Sequence, residues 1–334
     1  MRAPGRPRWV GSAAFVASTL LVASAAIWNG YPLVSSDTGA YVASSFALRA
    51  PIDRPVFYGL FLRAAHVGLS LWPVAIIQSA LVVAAVLRVM DVYAPVAGRA
   101  VPVVAVAALV ATTPLAWVAG QVAPDAWTGV LVLTLFVLLH DPRARGWRSV
   151  WVGLAFFWSV VVDASHLPLA AGLVAVDAIR ARGRGAGWLP AGALRRAALV
   201  LLASVVFALG ASTALAGRPF LAKTSWTFVL SRLVEDGIVQ QLLADVCDRA
   251  PPPYRLCAHR RDIRPSALHF IWDPESPVHK LGGLQAVEGE ARAIVLDSLR
   301  RHPWMHAQAA VRSWLDQLMS FETGDGLQPY GRGA

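Results

Sequence analysis

Residues 197–217, AALVLLASVVFALGASTALAG, carry no charged side chain over a length that matches the hydrocarbon core of a bilayer, which a helix crosses with roughly 20 mostly apolar residues. This run decides the class of fold. Backbone N–H and C=O groups in lipid have no water to bond, so a spanning segment must satisfy them within itself, and a helix does so. The rest of the chain agrees in kind: 56% of its 334 residues are hydrophobic and 15% charged, with a mean hydropathy of +0.53. A soluble core of this size would not need so much apolar material.

Further long apolar runs, bounded by Arg, Pro or acid-containing turns, stand at 9–29, 73–92, 101–120, 125–140, 149–163 and 166–179. The expected architecture is therefore all-α: a polytopic transmembrane bundle of about seven spans over residues 1–217, with a first external loop at 30–72 and juxtamembrane helices in it. A mostly helical, mostly polar tail follows over 218–334. The basic start, apolar middle and Ala23-Ser24-Ala25-Ala26 of the first 29 residues also resemble a secretory signal. The length of the apolar run and the spans behind it favour a retained span.

Lys and Arg in short loops resist translocation, so their distribution sets the orientation. Arg2, Arg6 and Arg8 precede the first span. Arg88 and Arg99, then Arg143, Arg145 and Arg148, then Arg180, Arg182, Arg184, Arg195 and Arg196 fall in every second connection after it. The alternate connections hold only Arg49, Arg54 and Arg63, all in the first long loop. The first side is expected to be cytoplasmic, and the long loop and tail periplasmic, in a bacterial inner membrane. The net charge of +10 follows largely from these clusters. Because they flank spans, anionic lipid is their expected partner, and no nucleic-acid partner is predicted.

Three loops on the external side each carry an acid: Asp37 in Ser35-Ser36-Asp37-Thr38-Gly39, Asp125 in Ala123-Pro124-Asp125-Ala126-Trp127, and Asp163, with His166, in Val162-Asp163-Ala164-Ser165-His166. Carboxylates gathered on one face of so apolar a chain suggest a site. Each also has a local reading, since Asp37 can cap the helix after it, Asp125 can complement a helix dipole, and Asp163 with Ser165 can cap the next span.

Pro32, Gly39, Pro51 and Pro55 break the first loop too often for another span. Ser36 or Asp37 is expected to open a short helix reaching about Leu48, and Pro55 a second from Val56 to Leu71. Gly59, Arg63, His66 and Ser70 then form a polar stripe on an otherwise apolar helix, which predicts that it lies along the interface. Lone His66 and His140 are read as interfacial. Tyr31, Tyr41, Phe57, Tyr58 and Trp72 suit a headgroup belt, or equally the lining of a groove for a lipid-linked substrate.

In the tail, Trp226–Gly237 reads as an amphipathic helix ending at Gly237, 270–274 and 280–283 as ordered loop, and 287–301 and 303–321 as helices. The only two cysteines, Cys247 and Cys257, flank Pro251-Pro252-Pro253-Tyr254. In an oxidising periplasm they can close a small disulfide loop contributing on the order of 3 kcal/mol. The alternative is two free thiols; a metal site lacks two further ligands at zinc spacing.

The order of these features, namely a span, a long external loop with an early acid and flat helices, then spans joined by short turns, resembles the C-type membrane glycosyltransferases. These are the superfamily of protein mannosyltransferases, lipid A aminoarabinose transferases and oligosaccharyltransferase catalytic subunits. The resemblance rests on Asp37-Thr38-Gly39-Ala40-Tyr41, Asp53-Arg54-Pro55-Val56-Phe57-Tyr58 and Pro124-Asp125, and covers roughly 1–217. It implies transfer of a sugar from a polyprenyl-phosphate donor to an acceptor at the outer membrane face. It places a metal ligand or general base at Asp37, support for the metal or the acceptor at Asp125, and a phosphate contact at Arg54 beside Asp53.

Such chemistry needs a base for the acceptor hydroxyl and cations, or a metal, for the departing phosphate. The candidate catalytic residues are Asp37, Asp125 and Asp53, with Asp37 and Asp125 the candidate ligands of a divalent metal, Mg or Mn. Arg54, Arg63, Tyr41, Tyr58, Asp163 and His166 are the candidate substrate contacts, and Arg218 and Lys223 further phosphate candidates. Two other classes stay open: a lipid or solute transporter or flippase, against which stand the few mid-span charges and the lack of an evident inverted repeat, and a non-catalytic or truncated membrane relative.

Overall fold

The computed structural model describes residues 11–47, 51–93, 100–143, 146–184, 188–217, 219–220 and 222–320. Arg2, Arg6, Arg8, Arg49, Arg99, Arg145 and Arg218 lie outside the described residues. Among the described residues all regular structure is helical, and the one isolated bridge joins Leu33 to Gln121 in parallel.

The helices begin with α1 (Ser12–Val22) and α2 (Ser24–Asn29), then α3 (Thr38–Ala47) and α4 (Phe57–His66) in the first loop. After them come α5 (Trp72–Tyr93), α6 (Val101–Thr112), α7 (Leu115–Gly120), α8 (Ala126–His140), α9 (Trp147–Val162), α10 (His166–Arg184) and α11 (Ala193–Ala216). The tail holds α12 (Ser225–Glu235), α13 (Ile238–Val246), α14 (Ala267–Trp272), α15 (Pro277–Lys280), α16 (Leu284–Arg301) and α17 (Pro303–Met319). The chain divides into two compact units. The first carries α1–α11; the second takes α12–α17 together with Ile52–Arg54, cut out of the first loop.

Among the described residues each apolar run of the sequence is helical, but two are interrupted. The run 9–29 divides at Ala23, and the run 101–120 divides at Thr113. Pro114 explains the second break: it has no N–H with which to continue α6, and it forces the preceding Thr113 into extended backbone at φ −136°, ψ 164°.

Two helices, Trp72–Tyr93 and Ala193–Leu215, are long and apolar enough to cross a membrane; Ser12–Val22, Val101–Thr112, Ala126–His140 and Ser149–Val162 are apolar but shorter. On α11 the residues Leu199, Leu202 and Val206 are each more than half exposed. In water so continuous an apolar face would be a liability, whereas in lipid it is the expected surface.

The first loop departs from expectation in an informative way. The stripe Gly59, Arg63 and His66 of α4 turns toward α3. His66 is buried, accepts from Gly68 N–H at Nδ1 (2.7 Å), and so carries its neutral-form proton on Nε2, 2.9 Å from Ser45 Oγ. Arg63 Nη1 donates to the carbonyl of Ser45 (3.0 Å) at the end of α3, where a cation meets the negative end of the helix dipole. The stripe is polar because it packs on a polar helix face. At Gly59 an added Cβ would lie 2.2 Å from Ser44 Oγ, so Gly59→Ala is expected to push the two helices apart at about 1–3 kcal/mol, read as a fall in the thermal midpoint in detergent.

Where α5 and α8 end, Asp141, just past α8, is completely buried. It binds Arg88 of α5 and accepts from Arg143 N–H (2.9 Å), while Arg88 Nη1 also reaches Asp91 (2.5 Å) and Arg143 Nη2 the Asp91 carbonyl (2.6 Å).

The second unit has its own core, in which Leu230, Val234, Ile238, Leu242, Phe270 and Ile294 are buried together. Cys247 and Cys257 are joined by a disulfide, Cα to Cα 5.4 Å. The sequence missed α13 altogether and read part of α14 as loop, because each is only about two turns long and draws its stability from the core it covers. Burial first, then a hydrogen bond to the Asp297 carboxylate (3.0 Å), pushes the Tyr254 phenol up to about 12. Burial works against the Asp297 carboxylate, yet the bonds from Arg301 and Tyr254 take it below its ordinary value.

Glu288 of α16 anchors the start of α12: its carboxylate accepts from the N–H groups of Trp226 and Thr227 (both 2.9 Å) and from the Thr227 hydroxyl (2.8 Å). These donors are unsatisfied ends of a helix meeting an anion, so Glu288→Ala is expected to destabilise this unit by about 1.5–3 kcal/mol, measured by its urea midpoint.

Candidate functional site

The site in the first unit is assembled by a short stretch of backbone pairing. Leu33 N–H donates to the Gly120 carbonyl (2.9 Å) and Val122 N–H returns the bond to Leu33 (2.8 Å). Thr38 Oγ1 then donates to the Val122 carbonyl (3.0 Å) from a buried position, while accepting from Ser35 N–H (2.9 Å). Asp37 and Asp125 are thereby carried on two loops stitched to each other. Gly120 permits the stitch, since a Cβ there would come within 3.2 Å of the backbone nitrogen and Cβ of Ala26.

Behind the stitch stands a buried polar network. Tyr58 Oη donates to Gln78 Oε1 (2.6 Å), and Gln78 Nε2 donates to the Gln121 carbonyl (2.9 Å), so α4, α5 and the turn between α7 and α8 share one set of bonds. Tyr41 packs edge-on against Tyr58 with ring centres 4.8 Å apart. Burial pushes the Tyr58 phenol well above its ordinary range, and the charges of Tyr41 and Asp125 add to the effect.

Asp125 sits in the turn ahead of α8 and is exposed at the surface, while Asp37 is exposed at the start of α3. The protein around Asp125 still raises its carboxyl pKa by desolvation, against the lowering effect of its backbone hydrogen bond. Asp163 raises it further, His166 lowers it when protonated, and Asp37 raises it again. The charges of Asp163, His166 and Asp37 are thus all felt at Asp125, and that of Asp125 in turn at Tyr58.

Asp163 and His166 are also tied locally. Asp163 Oδ1 accepts from Ser165 N–H (2.8 Å) and Ser165 Oγ (2.7 Å), forming the turn that opens α10. His166 is buried; Nδ1 lies 2.6 Å from the Ser159 carbonyl and Nε2 2.8 Å from Thr128 Oγ1. A carbonyl can only accept, so in the neutral ring Nδ1 holds the proton and Thr128 donates to Nε2. The ring clamps α10 to α8 and α9.

Two residues escaped the sequence reading. Gln78 lies mid-run in an apolar segment, where an amide signals a buried partner, and Thr128 stands one turn into α8 at hydrogen-bonding distance from a histidine 38 residues on. Trp127 is buried with its indole N–H without a partner, next to Phe61 at 5.0 Å between ring centres.

The remaining candidates are placed elsewhere. Asp53 and Arg54 belong to the second unit, where Arg54 Nε and Nη2 bind Asp53 Oδ2 at 3.0 and 2.6 Å. Arg63 serves the end of α3. Among the described residues no group of three or more His, Cys, Asp or Glu side chains is close enough to hold a metal ion. Asp37 and Asp125 would supply two carboxylates, which suits a magnesium-like ion that completes its shell with water and phosphate. The chain matches no model of a known protein family, no curated protein and no solved structure.

Proposed function

We propose that the protein is a membrane glycosyltransferase, moving a sugar from a polyprenyl-phosphate donor to an acceptor at the periplasmic face of a bacterial inner membrane. The observation that carries this reading is that Asp37 and Asp125 stand on two loops stitched to each other, with Asp125 made easier to protonate by burial and by the charges of Asp163 and Asp37. In this reading α1–α2, α5, α6–α7, α8, α9, α10 and α11 are the seven spans. The shorter ones, such as the 15 residues of α8, about 22 Å long, are accommodated by local thinning of the bilayer.

Asp125 takes the proton of the acceptor hydroxyl, for which a raised carboxyl pKa is the useful direction. The acceptor oxygen attacks the anomeric carbon as the bond to the phosphate oxygen breaks, and the polyprenyl phosphate leaves with that electron pair. On the phosphate side Asp37 would hold a divalent cation, Mg or Mn, which would neutralise developing charge. Such a cation would also relieve the repulsion among the three carboxylates. Tyr58, fully buried, supports the site from behind through Gln78 rather than touching substrate, while Asp163 adds to the field at Asp125. Arg63 is a proposed donor contact.

The test is incubation of purified protein with a panel of radiolabelled polyprenyl-phosphate sugars, with and without chelator, following label transfer to an acceptor. Turnover of at least one donor is expected. No turnover with any of them would favour the carrier or the non-catalytic relative.

A further inference from the structure

Helix α17 is apolar on two opposite sides. Met305 and Ala309 pack against the core of the second unit, His306 Nε2 lies 3.1 Å from Ser298 Oγ, and Ser313 Oγ accepts from Arg232 (2.8 Å). These positions define the inner face. At about 100° per residue the face directly opposite holds Trp304, Val311, Trp314, Leu315 and Leu318, which are 71%, 56%, 62%, 49% and 56% exposed. Single exposed apolar residues need no explanation, but five large ones in one stripe, two of them tryptophan, mark a contact surface.

We infer that this outer stripe of α17 lies on the bilayer surface, with its apolar side chains among the headgroups and upper acyl chains. Three observations select lipid over another protein chain. Tryptophan paired with aliphatic residues on one face is the composition of an interfacial helix. The cation Arg312 flanks the stripe on α17 itself, at hand for anionic headgroups. The chain itself supplies the tether: residues 217–224 alone separate α11, long and apolar enough to cross a membrane, from α12, and eight residues reach at most about 30 Å. The second unit is thus kept within reach of the membrane whatever reaction the first unit performs, and the inference does not depend on sugar transfer.

Both native cysteines are held in the disulfide, so an introduced cysteine is a unique labelling site. The full chain would be made as Leu315→Cys, as Leu318→Cys, and as Gln317→Cys on the flank of α17, each labelled with an environment-sensitive fluorophore. The proteins would be reconstituted in phosphatidylethanolamine vesicles with or without phosphatidylglycerol. At positions 315 and 318 the expected result is blue-shifted emission and quenching by lipid-borne spin labels several-fold stronger than at 317, with aqueous iodide showing the reverse order. Phosphatidylglycerol should strengthen the lipid quenching at low salt. Equal iodide quenching at all three positions would overturn the proposal. So would shielding from both quenchers together with cross-linking of 315 to 315, which would assign the stripe to a second copy of the chain. Two reporters on the same face guard against one substitution disturbing the helix.

Discussion

Replacing Asp125 by Asn is expected to lower sugar transfer about 100-fold or more, with Asp37→Asn falling in the same range, while the thermal midpoint of either variant stays near that of the parent. The first loss reflects removal of a general base, whose contribution is about 10²–10⁴-fold. The second reflects loss of the carboxylate that faces the phosphate. Because both residues are exposed, neither change opens a cavity. A pH profile separates the roles. A base must be ionised, and since the folded pKa of Asp125 is raised, activity should be lost as pH falls through a value above the ordinary carboxylate range. Asp163→Asn removes one of the charges that raises Asp125, so its acidic limb should move to lower pH with much of the maximal rate kept. Parental turnover in both Asp37→Asn and Asp125→Asn would remove the pair from the mechanism, and an unmoved limb in Asp163→Asn would detach Asp163 from Asp125.

Asp141→Ala is expected to have the largest effect on stability, up to about 3 kcal/mol, because it removes the fully buried carboxylate that holds Arg88, leaving the guanidinium with Asp91 as its remaining anion. The loss should appear as a lower thermal midpoint in detergent and earlier aggregation. The double variant Arg88→Leu with Asp141→Leu should recover much of the loss, since replacing a buried ion pair by apolar side chains of similar bulk is often close to neutral. If the double variant is as unstable as the single one, the cost lies in the end of α8 and its N–H bond to Arg143 rather than in the charge.

The helical character of the first unit was legible because apolar runs of the right length leave few other structures in lipid. The break at Pro114 was equally readable in principle, as proline constrains its predecessor wherever it stands. Less legible was what each polar residue faces. The stripe of Gly59, Arg63 and His66 has the spacing of a water-facing edge, yet its partners Ser44 and Ser45 sit on a different helix, and periodicity is silent about neighbours that are distant in sequence. Likewise the three acid-bearing turns were visible one by one, while the bond from Thr38 to Val122 that joins two of them spans 84 residues. Asp53-Arg54 was read with the first loop because it is contiguous with it, and only compactness assigns Ile52–Arg54 to the other unit.

That reassignment bears on how the protein is made. Thr224 Oγ1 donates to the Ile52 carbonyl (3.1 Å), closing a separation of 172 residues within the second unit. A ribosome releases Ile52–Arg54 long before the helices that receive it, so the tripeptide must wait while most of the bundle is threaded into place. Expression of residues 222–322 by themselves would therefore yield a unit missing one of its own pieces, and adding that tripeptide through an engineered connection is the natural remedy for anyone seeking that unit in isolation.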